Sequence, residues 1–171
     1  MTLCGCHSGC RQYNVQLPEG DGHAAGRPHT ELLIRANRQL IEEDGRTIKS
    51  FAARHGWEMK TTRSGLWYDV YHRGNGDKAA PGRMAEIACT LSLADSARTV
   101  CYSSEQSGTK TFRIGQGDVE SGLEEGILLM RVGDKARLIL PPHLAYGLMG
   151  DGSCIPRRAI VMYDVELLKL R

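Results

Sequence analysis

The apolar positions keep two different periods on either side of Trp57. Upstream, Thr30 can cap a helix, and Leu33, Asn37, Leu40 and Ile41 recur three and four residues apart until Gly45, the spacing of one helical face. Ile48, Phe51 and Ala52 repeat it over Thr47–His55, and Gly56 follows as a left-handed terminator. The pattern predicts a helical hairpin over residues 30–57. It is too small to stand alone, so it must pack on the main domain or on a second copy of itself.

Downstream the period becomes two, the spacing of strands. Met59–Thr62 and Leu66–His72 flank the turn Arg63-Ser64-Gly65 and read as a hairpin. Further strands are predicted at Met84–Leu93, Thr99–Ser103, Thr111–Ile114, Arg137–Leu140 and Ile160–Leu170. On the last of these, Val161, Tyr163, Val165 and Leu167 share one face, while Met162, Asp164 and Glu166 share the other. Carboxylates mark the second face as wet, so Tyr163 points inward. One helix interrupts the strands, with Leu123, Ile127 and Met130 as its apolar stripe. Glu120, Glu124 and Glu125 occupy its start, where the helix dipole favours negative charge, and read as solvated capping groups. The elements add up to an α+β fold: a twisted antiparallel sheet of five or six strands wrapped around one short helix.

The stretch Leu140–Ala159 breaks the alternation with Pro141-Pro142, the apolar knot Leu144, Ala145 and Tyr146, and then Gly147, Gly150 and Gly152 before Ile155-Pro156. A loop with greasy and ring-bearing residues between rigid ends is a candidate wall for a binding site.

Composition narrows the function classes. The 171 residues are 41% hydrophobic and 25% charged, enough to bury a core. No run approaches the ~20 apolar residues of a membrane span. The net charge of +2 comes without a basic stretch interleaved with aromatics, so nucleic acid is not an expected partner. The six histidines are dispersed, and none makes a metal or triad spacing.

Three of the six cysteines, Cys4, Cys6 and Cys10, cluster around His7. They lack the paired spacing of a structural zinc site. Leu3-Cys4-Gly5-Cys6 has the form of a lipobox but no basic and apolar leader precedes it here. The segment from Pro18 to Pro28 has the composition of a tether, and a loose start with free thiols also fits. Residues 1–29 are therefore expected to be a Cys/Gly/Pro-rich tether, 30–57 the helical extension and 58–171 the main domain. The expected location is the bacterial envelope, lipid-anchored through Cys6, or the cytoplasm if Met1 is the true start.

From Val119 to Leu170 the chain closely resembles the C-terminal half of FKBP-type peptidyl-prolyl isomerases. The features that carry the resemblance are Gly122-Leu123-Glu124-Glu125-Gly126, the turn Met130-Arg131-Val132-Gly133-Asp134-Lys135-Ala136, Leu144-Ala145-Tyr146-Gly147, Ile155-Pro156 and the strand Tyr163-Asp164-Val165-Glu166-Leu167-Leu168. It extends over roughly residues 64–171. The resemblance implies a pocket between the concave sheet and the helix. In it Tyr146 would reach the ligand with its hydroxyl, the backbone N–H of Glu120 would meet a substrate carbonyl, and Tyr163 would supply an inner aromatic. Phe112, Val119, Leu123, Ala145 and Ile155 would form walls and floor.

The departures bear on the same pocket. Leu123 stands where the family usually has tryptophan. Cys101-Tyr102 precede Ser103-Ser104 where Phe-Asp is usual, which puts Cys101 and Tyr102 at the substrate and removes a buried carboxylate. Cys89 aligns with a strand tyrosine, and Cys154 falls on the pocket loop. Cys89, Cys101 and Cys154 are read as small apolar fillers, a common role for the free thiol. The implied activity is rotation about X-Pro bonds in unfolded or flexible proline-containing polypeptides, with no metal or cofactor. Macrolide-type inhibitors are implied ligands, and a dimer through the helical hairpin an implied assembly. The alternative is a catalytically weak chaperone or partner-binding module on the same fold.

Overall fold

Every other residue of the strand Met84–Leu93 points to one side, and the computed structural model, which describes residues 27–171, builds the sheet around it. Ala85, Ile87, Cys89 and Leu91 are all buried on the concave side. In chain order the strands are β1 (Lys60–Thr61), β2 (Trp67–His72), β3 (Met84–Leu93), β4 (Val100–Ser103), β5 (Lys110–Arg113), β6 (Lys135–Leu140) and β7 (Val161–Leu170). The order across the antiparallel sheet is β1-β2-β6-β7-β3-β4. β4 and β5 both pair with β3, β5 along Met84–Ile87 and β4 along Thr90–Ser92, so one edge position is filled by a split strand. The four-residue helix α2 (Ser104–Ser107) occupies the split.

The helix expected from the Leu123 stripe forms as α3 (Ser121–Leu128) and crosses the concave face. Leu123, Ile127 and the following Met130 are fully enclosed with Ala136, Leu138, Leu140, Tyr163 and Val165. The helix can come this close because two of its positions have no side chain. A Cβ on Gly126 would lie 2.3 Å from Leu138 Cδ1, and one on Gly122 would lie 2.7 Å from Leu140 Cγ. Gly122 and Gly126 are four apart and therefore share the face that meets β6.

The opposite face of the sheet differs from expectation at one end. Alternation puts Met162 on a wet face with Asp164 and Glu166, yet it is 1% exposed. Ile48 and Phe51 cover it together with Ile139, and Trp57, Met59 and Trp67 surround the cluster. Alternation along one strand reports which residues share a face, not whether another element covers that face.

The helical hairpin also requires correction. Arg27–Arg54 is a single helix, α1, running through Gly45. A glycine in a helix interior costs only about 1 kcal/mol relative to alanine, and a Cβ at Gly45 would meet nothing within 4 Å. The buried Ile48 and Phe51 beyond it outweigh that cost. Gly56 does end the helix, at φ +68°. Residues 36–171 form one unit, and the described residues before them, 27–35, fall in another. Within the larger unit, Asp44 of α1 pairs with Arg158 at 3.3 Å. The tether expected over residues 1–29 lies outside the described residues except for its last three, which open α1.

Gly126→Val tests the seating of α3. Overpacking against Leu138 is expected to cost about 2 kcal/mol, lowering the thermal midpoint by roughly 4–8 °C for a chain of this size. An unchanged midpoint in a calorimetric scan would show that α3 does not rest on β6.

Candidate active site

Three segments converge at the N-terminal end of α3: the segment leading into the helix, the inner face of β7, and the loop after β6. The loop is held in shape by its own backbone. Gly147 donates to the Pro142 carbonyl at 2.8 Å, Gly150 to the Tyr146 carbonyl at 3.2 Å and Asp151 to the Ile155 carbonyl at 3.1 Å. Asp151 returns the favour through Oδ1, which accepts from the N–H groups of Ser153 (2.9 Å) and Ile155 (2.7 Å). Those two donors hold its carboxyl below the usual carboxylate range. Gly150 adopts φ +71°, and a Cβ there would lie 2.2 Å from the Ile155 carbonyl oxygen, so no other residue fits this turn.

The loop brings Tyr146 over β7, with its hydroxyl 3.5 Å from that of Tyr163. Tyr163, Leu123, Phe112 and Ile155 make the apolar floor and wall, none more than 3% exposed. Val119, Glu120, Ala145 and Tyr146 form a half-buried rim. The floor is therefore closed by Leu123 and Tyr163, and the accessible surface is that of the rim.

Glu120 immediately precedes α3, at its N-cap, with φ −58° and ψ 138°. Its carbonyl takes up the first turn, accepting from Leu123 at 2.9 Å and Glu124 at 3.1 Å. Its own N–H has no acceptor among the described residues, and an open amide at a helix start is a donor for an incoming carbonyl.

The expectation that Glu120, Glu124 and Glu125 are alike does not hold. Glu124 Oε1 accepts from the N–H groups of Gly115 (3.2 Å) and Gly117 (3.1 Å), and Glu125 accepts from the Ser64 hydroxyl at 2.6 Å. Glu120 makes no capping hydrogen bond. Its carboxylate turns toward the tyrosine pair, and its Oε2 is buried without a hydrogen-bond partner. Burial pushes the Tyr146 hydroxyl up from its ordinary pKa, and the neighbouring Glu120 carboxylate adds to the shift. Burial and then the Glu120 charge push Tyr163 up further. Both hydroxyls stay protonated as donors well into alkaline solution.

On the split-strand side, Tyr102 packs its ring against the core and donates its hydroxyl to the Gly108 carbonyl at 2.7 Å, with Lys110 Nζ 4.7 Å from the ring centre. That hydroxyl closes the β4–β5 excursion rather than facing the Tyr146 side. Cys101 and Cys154 are not separate fillers: they form a disulfide with Cα atoms 5.6 Å apart. The bridge ties β4 to the loop one residue before Ile155, so Cys101 offers no free thiol to a substrate. Cys89 remains a free, buried cysteine, its thiol pushed up by burial. Among the described residues no cluster of ligating side chains could hold a metal ion. The Cys4-Cys6-Cys10 group lies outside the described residues.

The disulfide and the Glu120 carboxylate both escaped the sequence. Two cysteines far apart in the chain give no pairing signal on their own. A glutamate at a helix start reads as a cap wherever the local sequence is judged alone.

Residues 76–168 match the family model of FKBP-type peptidyl-prolyl cis-trans isomerases. FK506-binding protein 2 of Candida glabrata is 40% identical over 93 residues, 54% of this chain and 68% of that protein. The FKBP-type peptidyl-prolyl cis-trans isomerase FkpA of Aeromonas hydrophila is 35% identical over 137 residues, 80% of this chain and 50% of that protein. The crystal structure of FkpA from Escherichia coli superposes with a TM-score of 0.64 at 26% identity, covering 84% of this chain and 68% of that one. The chain thus spans about two thirds of the yeast relative and half of the bacterial one.

Cleaving the Cys101–Cys154 bridge is expected to loosen the pocket loop. The bridge closes a loop with a sequence separation of 53 residues, which in the chain-entropy picture is worth about 4 kcal/mol. Reduction, or Cys154→Ser, should lower the urea midpoint and speed amide exchange over residues 147–155. Unaltered exchange there would show that the bridge does not hold the loop.

Proposed function

The chain belongs to the FKBP-type peptidyl-prolyl cis-trans isomerases, and we propose that it rotates X-Pro bonds of proline-containing polypeptides at the rim beneath Tyr146. The observation that carries this assignment is the open N–H of Glu120 above an apolar floor, with the Tyr146 hydroxyl beside it.

Rotation about the imide bond must cross a barrier of ~18–20 kcal/mol, most of it lost resonance between nitrogen and carbonyl. The planar form is the more polar one and is well solvated by water. Leu123, Phe112, Ile155 and the ring of Tyr163 present a surface that offers no such solvation, which disfavours the planar form relative to the twisted one. The Glu120 N–H and the Tyr146 hydroxyl can hold carbonyls on the flanking residues while the bond between them turns. Nothing in this route needs a nucleophile or a proton transfer.

An exchange or protease-coupled assay on short X-Pro peptides should show acceleration over the spontaneous rate. Tyr146→Phe should lower kcat/KM by roughly tenfold, or about 1.4 kcal/mol of transition-state stabilisation. Because Tyr146 and Tyr163 are held protonated, the rate should show no fall from phenol ionisation up to about pH 10, the ordinary tyrosine value. No acceleration at micromolar protein would overturn the assignment.

Client capture, location and assembly extend the proposal. Leu148 and Met149 stand 68% and 69% exposed at the loop tip, beside an apolar groove lined by Leu40, Ile41 and Pro142. Such a surface would receive an unfolded chain ahead of the pocket, which is the chaperone side of the function. The Cys101–Cys154 bridge favours an oxidising compartment, in keeping with an envelope protein lipidated at Cys6. Exposed Leu32, Leu33 and Ile34 on α1 support self-association through that helix. Macrolide-type inhibitors would compete at the same rim.

A further inference from the structure

We propose that the side chain of Glu120 makes this isomerase selective for prolines flanked by a basic residue. The proposal rests on the assignment of the rim beneath Tyr146 as the substrate site and adds to it the class of substrate. Its basis is a carboxylate that finds too few hydrogen-bond donors within the protein. Glu120 forgoes the capping position open to it at the start of α3. It sits against the hydroxyls of the buried Tyr163 and the half-buried Tyr146, and its Oε2 is enclosed with no hydrogen-bond partner.

An ionised carboxylate has room for about four donors, and the tyrosines supply at most two. Among the described residues no basic side chain lies within 4 Å of it. Lys110 is engaged over the Tyr102 ring, and Arg158 of the pocket loop pairs with Asp44. Burying such an oxygen without a donor is unfavourable. The side chain is only half-buried, so the carboxylate's missing donors can come from whatever occupies the rim.

An N–H group carrying positive charge satisfies a carboxylate better than a neutral donor. The peptide backbone of a substrate carries no such group, whereas a lysine or arginine beside the proline does. Its aliphatic stem would lie along the half-buried Val119 and Ala145 while the charged end reaches Glu120. Glu120 would hold the substrate through its backbone N–H, so its own side chain is within reach of the residues next to the proline. An apolar neighbour at the same place would leave the carboxylate unpaired.

The test compares peptides with lysine, arginine, N-acetyl-lysine or norleucine immediately before or after the proline. Both kcat/KM and affinity by NMR titration are read on the full chain. Lysine and arginine are expected to exceed the two uncharged side chains by about tenfold in at least one position, and Glu120→Gln is expected to bring that ratio close to one. Equal values for charged and uncharged peptides in the natural protein would overturn the inference. So would a preference that survives Glu120→Gln. If Glu120→Gln does not fold, the comparison of lysine with N-acetyl-lysine on the natural protein still decides the matter. If no peptide is turned over, the isomerase assignment fails, and the titration still tests recognition: charge-dependent binding supports it and charge-independent binding overturns it.

Discussion

The closeness of α3 to β6 sets the geometry of everything above it. Gly122 and Gly126 remove two side chains from the helix face, and Leu138 and Leu140 take the space. At that separation Leu123 and Ile127 fall into the core rather than onto its edge. The turn before the helix is then carried down to the level of β7, which is what puts Glu120 beside Tyr163. A larger residue at either glycine would lift the helix end and part the two groups on which the site depends.

The site combines a dry floor with one concentrated charge. Family members usually bring an acid into this pocket from the strand, at the position Tyr102 fills here, and Tyr102 is committed to the Gly108 carbonyl. The acid of this chain arrives from the helix side. The exchange keeps a carboxylate among the aromatic groups but moves it to the residue whose backbone also faces the substrate. In the proposed reading, recognition of the peptide backbone and discrimination among side chains are thereby joined in a single residue.

Much of the fold was legible because strands here are long and one-sided. Alternation placed Tyr163, Val165 and Leu167 inward, and β3 and β7 follow the pattern closely. What alternation could not carry was the environment of the other face. Met162 looked wet because its neighbours Asp164 and Glu166 are charged, and only the packing of Ile48 and Phe51 shows otherwise. Gly45 looked like a break because local propensity is a weak force beside the burial of the residues on either side of it. In the site, motifs located Tyr146, Leu123 and Ile155, which depend on chain order. The bond between Cys101 and Cys154 and the orientation of the Glu120 carboxylate depend on distances through space, and no spacing in the chain encodes those.

Most of the pocket lies within one covalent ring. Phe112, Val119, Glu120, Leu123, Ala145 and Tyr146 all fall between the two joined cysteines, and Ile155 and Tyr163 follow soon after. A protease that nicks an exposed turn inside that stretch, such as the Leu148–Met149 tip, leaves two fragments that cannot drift apart. Damage to the chain and loss of the protein become separate events, divided by the presence of a reductant. Such a ring lets a broken molecule remain one particle.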